Sequence, residues 1–457
     1  MRVKAITLYM LRLRAARFMS LAACTKRSPR RTVGRTHQRS LCAQALFKPL
    51  FKKIAMPNTL SSWITRYALC ALLSVCCIAQ AQVQAPSVAP QAPSLAPQAP
   101  EIAAHAYLLV DVTAQQVLAQ SNADQPVEPA SLTKLMSAYL VFQALKAKKI
   151  TLEQTMPVSE RAWKMQGSRM FIDPKMQVPV LDLIKGMIVQ SGNDATIVLA
   201  EGVGGTVEHF VEMMNAQAKT LGMKNTGYKN PEGLTVPGHI TTAKDLSILA
   251  TRLMQDFPEF VGYYAIKQYR YPGTPAANQN NRNLLLFRDP SVDGLKTGHT
   301  DAAGFCLIAT AKRDAPGVGS RRLLSIVLGA SSENARAAES QKLLNWGYTA
   351  YEAVKLFDAS QPVVSPLVWK GQSNVAKLGR FQPIVVAIPA GALSRVQTQV
   401  ARPEPMVAPY QRGQTVGSLK VNLDQQPWVD VPLVVLEAVE QAGWVGRTWD
   451  ALRLWVK

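Results

Sequence analysis

The chain has 457 residues, 48% of them apolar and 18% charged, a globular composition that excludes a disordered chain and is long enough for one large core or two ordinary ones. Its net charge of +21 would fit a nucleic-acid or membrane-surface protein, but residues 1–81 hold 15 of the Lys and Arg residues and no Asp or Glu. The rest carries 36 basic against 30 acidic groups, so no nucleic-acid partner is expected.

Residues 1–55 contain Arg12, Arg14, Arg17, Arg30, Arg31, Arg35 and Arg39 without a periodic apolar face, and read as a mis-assigned leader before a start at Met56. Residues 56–81 have the parts of a signal peptide: Arg66, the apolar stretch Tyr67 to Ile78, then Ala79-Gln80-Ala81 in the small-x-small pattern of a cleavage site. The stretch is short for a membrane span, which needs about 20 apolar residues. Export is therefore expected. Five of the six cysteines precede the expected cut, so the mature chain keeps Cys306 and forms no intrachain disulfide. Residues 82–100, QVQAPSVAPQAPSLAPQAP, read as an extended polyproline-like spacer.

The folded body opens on AYLLVDV and QQVLAQS, an antiparallel hairpin by their alternation. A helix is expected from Ser131 to Lys146, with Leu132, Leu135, Met136, Tyr139 and Phe142 on one face and Pro129 just ahead of it. Residues 180–255 are largely helical in pattern, broken by KNPEGLTVPGHI. Strands follow at 304–311, where Cys306 is read as packing in a buried run, and at 322–330. A helix is expected from Glu333 to Val354. Strands at both ends of a helical middle predict an α+β domain over 101–354 whose two ends share one sheet.

From 355 to 438 short apolar alternations broken by Pro and Gly predict a small all-β domain. Over 439–457 a helical period puts Trp444, Val445, Trp449, Leu452, Trp455 and Val456 on one face, with Arg447, Asp450, Arg453 and Lys457 on the other. Three tryptophans opposite basic residues form the pattern of a helix lying in a membrane interface.

The chemistry rests on three short motifs: Ser131-Leu132-Thr133-Lys134, Ser191-Gly192-Asn193 and Lys296-Thr297-Gly298. A Ser-x-x-Lys pair alone arises by chance about once or twice in a chain of this length, so the weight lies on the set and its context. Three residues is close to one helical turn, so Ser131 and Lys134 share a face. A serine hydroxyl needs a neighbour to take its proton, and a lysine does so when burial and nearby positive charge lower its pKa. Ser191 offers a hydroxyl for proton relay and Asn193 an amide for a substrate peptide group. Lys296 and Thr297, read as lying just before a strand, suit a substrate carboxylate, and Gly298 is read as letting substrate approach that strand.

The three motifs, with EPASLTKLM, VQSGNDA, DGLKTGHTDAAGFCLIATA and ENARAAESQKLLNWG around them, resemble the low-molecular-weight penicillin-binding proteins that are D-alanyl-D-alanine carboxypeptidases. The resemblance covers about 101–457. It implies a β-lactamase/transpeptidase-like catalytic domain (antiparallel sheet with helices), followed by the β domain and the amphipathic tail. It also implies acylation of Ser131 by the peptidoglycan stem peptide or by β-lactams, with Lys134 as general base, Ser191 assisting proton transfer and Asn193 positioning substrate. Lys296 and Thr297 would face the terminal carboxylate together with Gly298 and Arg336, and the N–H groups of Ser131 and His299 would form the oxyanion hole. The resemblance further implies a peripheral location on the periplasmic face of the inner membrane, a role in cell wall biogenesis and cell shape, and no cofactor. His105, His209, His239 and His299 lack metal-ligand spacing, so no metal is expected. A related endopeptidase or weak β-lactamase and a non-catalytic peptidoglycan-binding protein are the competing readings. Asn230-Pro231-Glu232-Gly233-Leu234 does not match the deacylating-glutamate pattern of class A β-lactamases, and Glu232 is read as a loop residue.

Overall fold

The computed structural model describes residues 95–455. The leader, the signal peptide, residues 82–94 of the spacer, Val456 and Lys457 lie outside the described residues. The described end of the spacer forms no helix or strand, but it is not detached: Leu95 packs on the core of the β domain and Ala99 on the core behind the main sheet.

That sheet begins with β1 (Ala106–Asp111) and β2 (Gln116–Ser121), the expected hairpin. Ala130–Thr133, which carries Ser131, is a 3-10 turn, and α1 runs from Lys134 to Lys146. The expected helix therefore starts three residues late, because Ala130 adopts a left-handed backbone (φ 47). A short ribbon pairs β3 (Thr155–Pro157) with β4 (Gln177–Pro179), and α2 (Glu160–Trp163) lies between them. The helices α3 (Val180–Val189), α4 (Asn193–Gly204), α5 (Val207–Leu221) and α6 (Ala243–Asp256) fill the middle, as the 3.6-residue periodicity predicts. After the small helix α7 (Leu285–Arg288) come β5 (Val292–Thr300), β6 (Gly304–Ala315) and β7 (Gly319–Ala330).

The sheet order is β2-β1-β7-β6-β5, antiparallel throughout, so the two ends of the domain do share one sheet. Its two faces follow the period of two. Leu108, Ile308, Leu324 and Ile326 pack toward the helical middle. Leu109, Leu307, Leu323 and Val327 pack with Leu343 and Leu344 of α8 (Glu333–Ala350). Ser332 caps α8, its Oγ accepting from Ala335 N–H. Cys306 is buried in β6, and burial pushes its thiol up to about 11, consistent with the expected packing role.

The helix ends at Ala350, not Val354, and the next residue starts β8 (Tyr351–Phe357), whose alternating Tyr-Glu-Ala-Val-Lys-Leu-Phe is a strand pattern. Beyond it lie β9 (Pro362–Val364), β10 (Val368–Trp369), β11 (Leu378–Gly379), β12 (Ile384–Pro389), β13 (Val396–Ala401), β14 (Met406–Val407), β15 (Thr415–Leu423) and β16 (Gln426–Val435). The order β13-β15-β16-β11-β9 forms one sheet and β12-β8 a second, around Val386, Ile388, Leu419, Val421, Leu433 and Val435.

Several polar links join this β-rich part to the main sheet, among them two at its β1–β2 edge. Asp111 and Arg321 form a fully enclosed ion pair at 2.7 Å, and Arg321 also donates to the carbonyl of Tyr351. Gln116 in β2 donates to, and accepts from, the backbone of Ala387 in β12. The terminal helix α9 (Trp444–Trp455) completes the described chain.

Candidate active site

The candidate site sits where the Ser131 turn meets β5 and the start of α4. In a 3-10 turn, side chains three apart eclipse one another, which sets Lys134 directly against Ser131. Lys134 Nζ lies 3.1 Å from Ser131 Oγ, 2.7 Å from Asn193 Oδ1 and 2.6 Å from the Glu232 carbonyl. The two shorter contacts go to atoms that can only accept. A neutral amine donates two hydrogen bonds and keeps one lone pair, so in that state the lone pair is left for the Ser131 hydroxyl. Burial lowers Lys134 to about 7; the Glu232 charge opposes this, Arg282 reinforces it and Asp194 opposes it weakly.

The turn itself is held from below. Lys229 N–H donates to His239 Nδ1, so the ring proton is on Nε2, which donates to Thr133 Oγ1; that hydroxyl in turn donates to the Ala130 carbonyl. Burial pushes His239 down to about 4, so it stays neutral and keeps both roles. Gly233 presses on the same turn. A Cβ there would lie 1.9 Å from the Ala130 oxygen, and its φ of +92 suits glycine.

Ser191 has a left-handed backbone (φ 57) and its Oγ accepts from Lys296 Nζ at 3.0 Å. Among the described contacts, Ser191 therefore meets Lys296 and not Lys134. Asn193, opening α4, gives Oδ1 to Lys134 and donates Nδ2 to the Gln166 carbonyl at 2.7 Å. Its neighbour Asp194 accepts from the backbone N–H groups of Met170, Phe171, Ile172 and Ala195. Those bonds fasten the loop that brings Ser168 to the cleft.

Lys296, Thr297, Gly298 and His299 all lie inside β5, a strand in its own right, whereas the sequence reading put Lys296 and Thr297 just before a strand. Gly298 also has a different reason to be glycine: a Cβ would sit 3.2 Å from Ala130 Cβ, Leu132 Cγ and the Pro129 carbonyl. The close approach is of β5 to the Ser131 turn. Arg336, from the first turn of α8, is 2% exposed and donates to the Gly298 carbonyl at 3.2 Å and to Glu333 at 3.1 Å. Its guanidinium lies over Phe305, which stacks on His299.

Together Ser131, Ser168, Ser191, Arg282, Thr297, Gly298, His299, Phe305, Glu333 and Arg336 line a cavity of about 90 Å³. Arg282 and Arg336 in its walls, with Lys296 behind Ser191, give it a basic balance against Glu333. Burial, followed by the charges of Lys134, Arg282 and Arg336, holds Lys296 well below the usual lysine range. An anion entering here would relieve that repulsion. Sequence reasoning missed Arg282, Ser168, Phe305 and Glu333. Arg282 stands in the loop Asn-Gln-Asn-Asn-Arg-Asn, where no motif distinguishes it from a surface residue. Asp194 was adjacent to a motif, and burial raises its pKa while the four N–H donors hold it down.

Residues 94–332 match the family model described as D-alanyl-D-alanine carboxypeptidase, and residues 351–441 match the penicillin-binding protein 5 C-terminal domain. The D-alanyl-D-alanine carboxypeptidase DacC of Escherichia coli is 40% identical over 380 residues, covering 81% of this chain and 90% of that protein. The structure of penicillin-binding protein 5 from Haemophilus influenzae aligns with a TM-score of 0.70 at 36% identity, covering 76% of this chain and all of the other. Penicillin-binding protein D2 from Listeria monocytogenes, in its cefotaxime-bound form, aligns with a TM-score of 0.50 at 32% identity, over 55% of this chain and all of the other. The chain belongs to the D-alanyl-D-alanine carboxypeptidase family.

Proposed function

As a reading of this family member, we propose a serine-type D-alanyl-D-alanine carboxypeptidase that removes the terminal D-alanine from the peptidoglycan stem peptide. The observation that carries it is the contact of Lys134 Nζ with Ser131 Oγ, the other two Nζ contacts being acceptors only. Ser131 Oγ attacks the penultimate carbonyl while its proton passes to Lys134. The N–H groups of Ser131 and His299 steady the oxyanion. D-alanine leaves with a proton, and water then hydrolyses the ester on Ser131 to release the shortened peptide.

The cations of the cleft suit the substrate's terminal carboxylate, which Lys296, Thr297 and Arg336 would hold with Gly298 closing the strand behind them. Ser191 assists proton transfer through Lys296, its hydrogen-bond partner, and Asn193 orients both Lys134 and the substrate peptide group. Because Lys134 must be neutral to accept a proton, kcat/KM falls about tenfold per pH unit below about 7. The cefotaxime-bound relative supports acylation of the same serine by β-lactams.

On this reading residues 101–350 form the catalytic domain, 351–441 the β domain, and the remaining residues to 457 the anchoring helix of an exported protein held on the periplasmic face of the inner membrane. Both boundaries are shifted from the 354 and 438 read in the sequence, because β8 and the pairing of Val439 and Gln441 belong to the β domain. In that setting the enzyme trims stem peptides during cell wall biogenesis and so bears on cell shape. No described helix is long and apolar enough to cross a membrane, so the attachment is peripheral on this reading. The supporting observation is the outward set of Trp444, Trp449 and Trp455, at 75%, 63% and 86% exposure.

The test is intact mass after mixing residues 82–457 with a penicillin, beside a Ser131→Ala control. A penicilloyl adduct on the unmutated protein alone is the expected result. Folded protein that gives neither adduct nor drug loss overturns the reading.

A further inference from the structure

Glu232 has no part in the chemistry described so far, yet it is the most unusual side chain near the site. It is only 5% exposed, and its Oε2 has no hydrogen-bond partner among the described residues. An ionised carboxylate in that position is costly unless an opposite charge is close. The same residue's carbonyl is the shortest acceptor of Lys134 Nζ, at 2.6 Å.

The loop that carries Glu232 is locked on both sides. Asn230 Oδ1 accepts from the N–H groups of Gly233 and Leu234, and Ser137 Oγ, one turn along α1 from Lys134, donates to the Pro231 carbonyl. Gly233 abuts the Ala130 carbonyl with no room for a Cβ. The backbone that carries Glu232 therefore cannot shift without moving the turn that carries Ser131.

We propose that Glu232 is a positioning residue for the serine chemistry, its buried carboxyl governing the charge state in which Lys134 faces Ser131. The inference rests on the carboxypeptidase reading above. The charged groups around Lys134 are Glu232, Arg282, Asp194 and Lys296, and those around Glu232 are Lys134 and Arg161. Burial and Arg282 drive Lys134 toward the neutral amine, and the charge of Lys134 in turn lowers Lys296. Asp194 opposes them, but its oxygens are already occupied by backbone N–H donors. Glu232 is the remaining counterweight, with an unpartnered oxygen. When it is ionised Lys134 holds its proton more tightly, and when it is neutral Lys134 releases it.

The pH profile reads this directly. Glu232→Gln keeps the backbone carbonyl and removes the charge. The acid limb of kcat/KM should move down by about one pH unit, with the alkaline plateau within about twofold of the unmutated enzyme. At one unit below the original midpoint, activity then rises about fivefold. Glu232→Met, similar in length and without polar atoms, should shift the limb in the same direction. Glu232→Asp, which restores a carboxyl, should return it. A purely structural role would lower stability and leave the limb in place.

An active Glu232→Gln or Glu232→Met enzyme with an unmoved acid limb overturns the inference. So does a long-lived acyl-enzyme in Glu232→Gln with that limb unmoved, which would make the carboxyl a base for the deacylating water. Carbon-13 labelling of glutamate in the unmutated protein gives a test independent of the variants. Its Glu232 signal should titrate above the ordinary carboxylate range, because burial raises the carboxyl's proton affinity. Titration within that range also overturns the inference. Absence of a penicilloyl adduct on the unmutated protein would instead remove the carboxypeptidase reading, so the two failures are distinguishable.

Discussion

The catalytic cleft and the terminal helix break the same rule of folding in opposite directions. In the cleft, Lys134, Lys296 and Arg336 are 2%, 3% and 2% exposed, three basic groups taken out of water within one site. In α9 the tryptophans face outward, while the polar side is turned to the protein: Asp450 accepts from Lys370 N–H at 2.6 Å and Arg453 lies 6.0 Å from the Trp369 ring centroid. Charged residues are rarely buried without partners, and large apolar faces are rarely left in solvent. Each violation is maintained by packing that does not need it. The lesson is that a fold tolerates such departures where a ligand or a surface is to supply the missing half.

The comparison can be broken most severely at Lys134. Lys134→Ala should lower the rate of penicillin acylation by about 10⁴-fold without unfolding the protein, as mass spectrometry over time would register. Acylation at the normal rate would mean that Lys134 is not the base. Asp111 sharpens the contrast, because its partner Arg321 is also a buried basic group but lies far from the chemistry. Asp111→Ala should cost about 3–5 kcal/mol of stability in calorimetry, since it strands a charge at 3% exposure, and leave the pH profile unchanged. Lys296→Ala should lower kcat/KM by about 10²-fold through weaker carboxylate recognition, with acylation still detectable. A loss as large as that of Lys134→Ala would merge the two roles. Deleting residues 440–457 should have the smallest catalytic effect, within about twofold in turnover, while abolishing co-sedimentation with anionic vesicles. If the truncated protein still sediments, the outward tryptophans are not the attachment.

The sequence made the two violations visible to different degrees. The outward face of α9 was legible because a helical period sorts Trp444, Trp449 and Trp455 from Arg447, Asp450 and Arg453 without reference to anything else. What could not be read was that Asp450 and Arg453 dock on the β domain, since their partners Lys370 and Trp369 lie some 80 residues earlier. The Ser131–Lys134 pair was legible from local spacing, and the shared sheet from strand patterns at both ends. The strand around Lys296 was not, because Asp-Gly-Leu-Lys-Thr-Gly-His-Thr has two glycines and little β-branched character, and its partner β6 is what makes it extended. Arg282 and the pressure of Gly233 on Ala130 are tertiary facts with no local trace. Glu232 was read as an ordinary loop residue for the same reason.

The direct succession of α8 and β8 has a mechanical consequence. Ala350 closes a helix and Tyr351 opens a strand, with no residue between them to serve as a swivel, and the Arg321 and Gln116 links brace the joint on two sides. The catalytic part and the β domain are therefore joined without a linker, and the joint is an arm rather than a tether. If α9 lies flat on a bilayer, the arm fixes the height at which the cleft works, and the enzyme searches a thin layer of the wall by sliding along the membrane rather than by reaching.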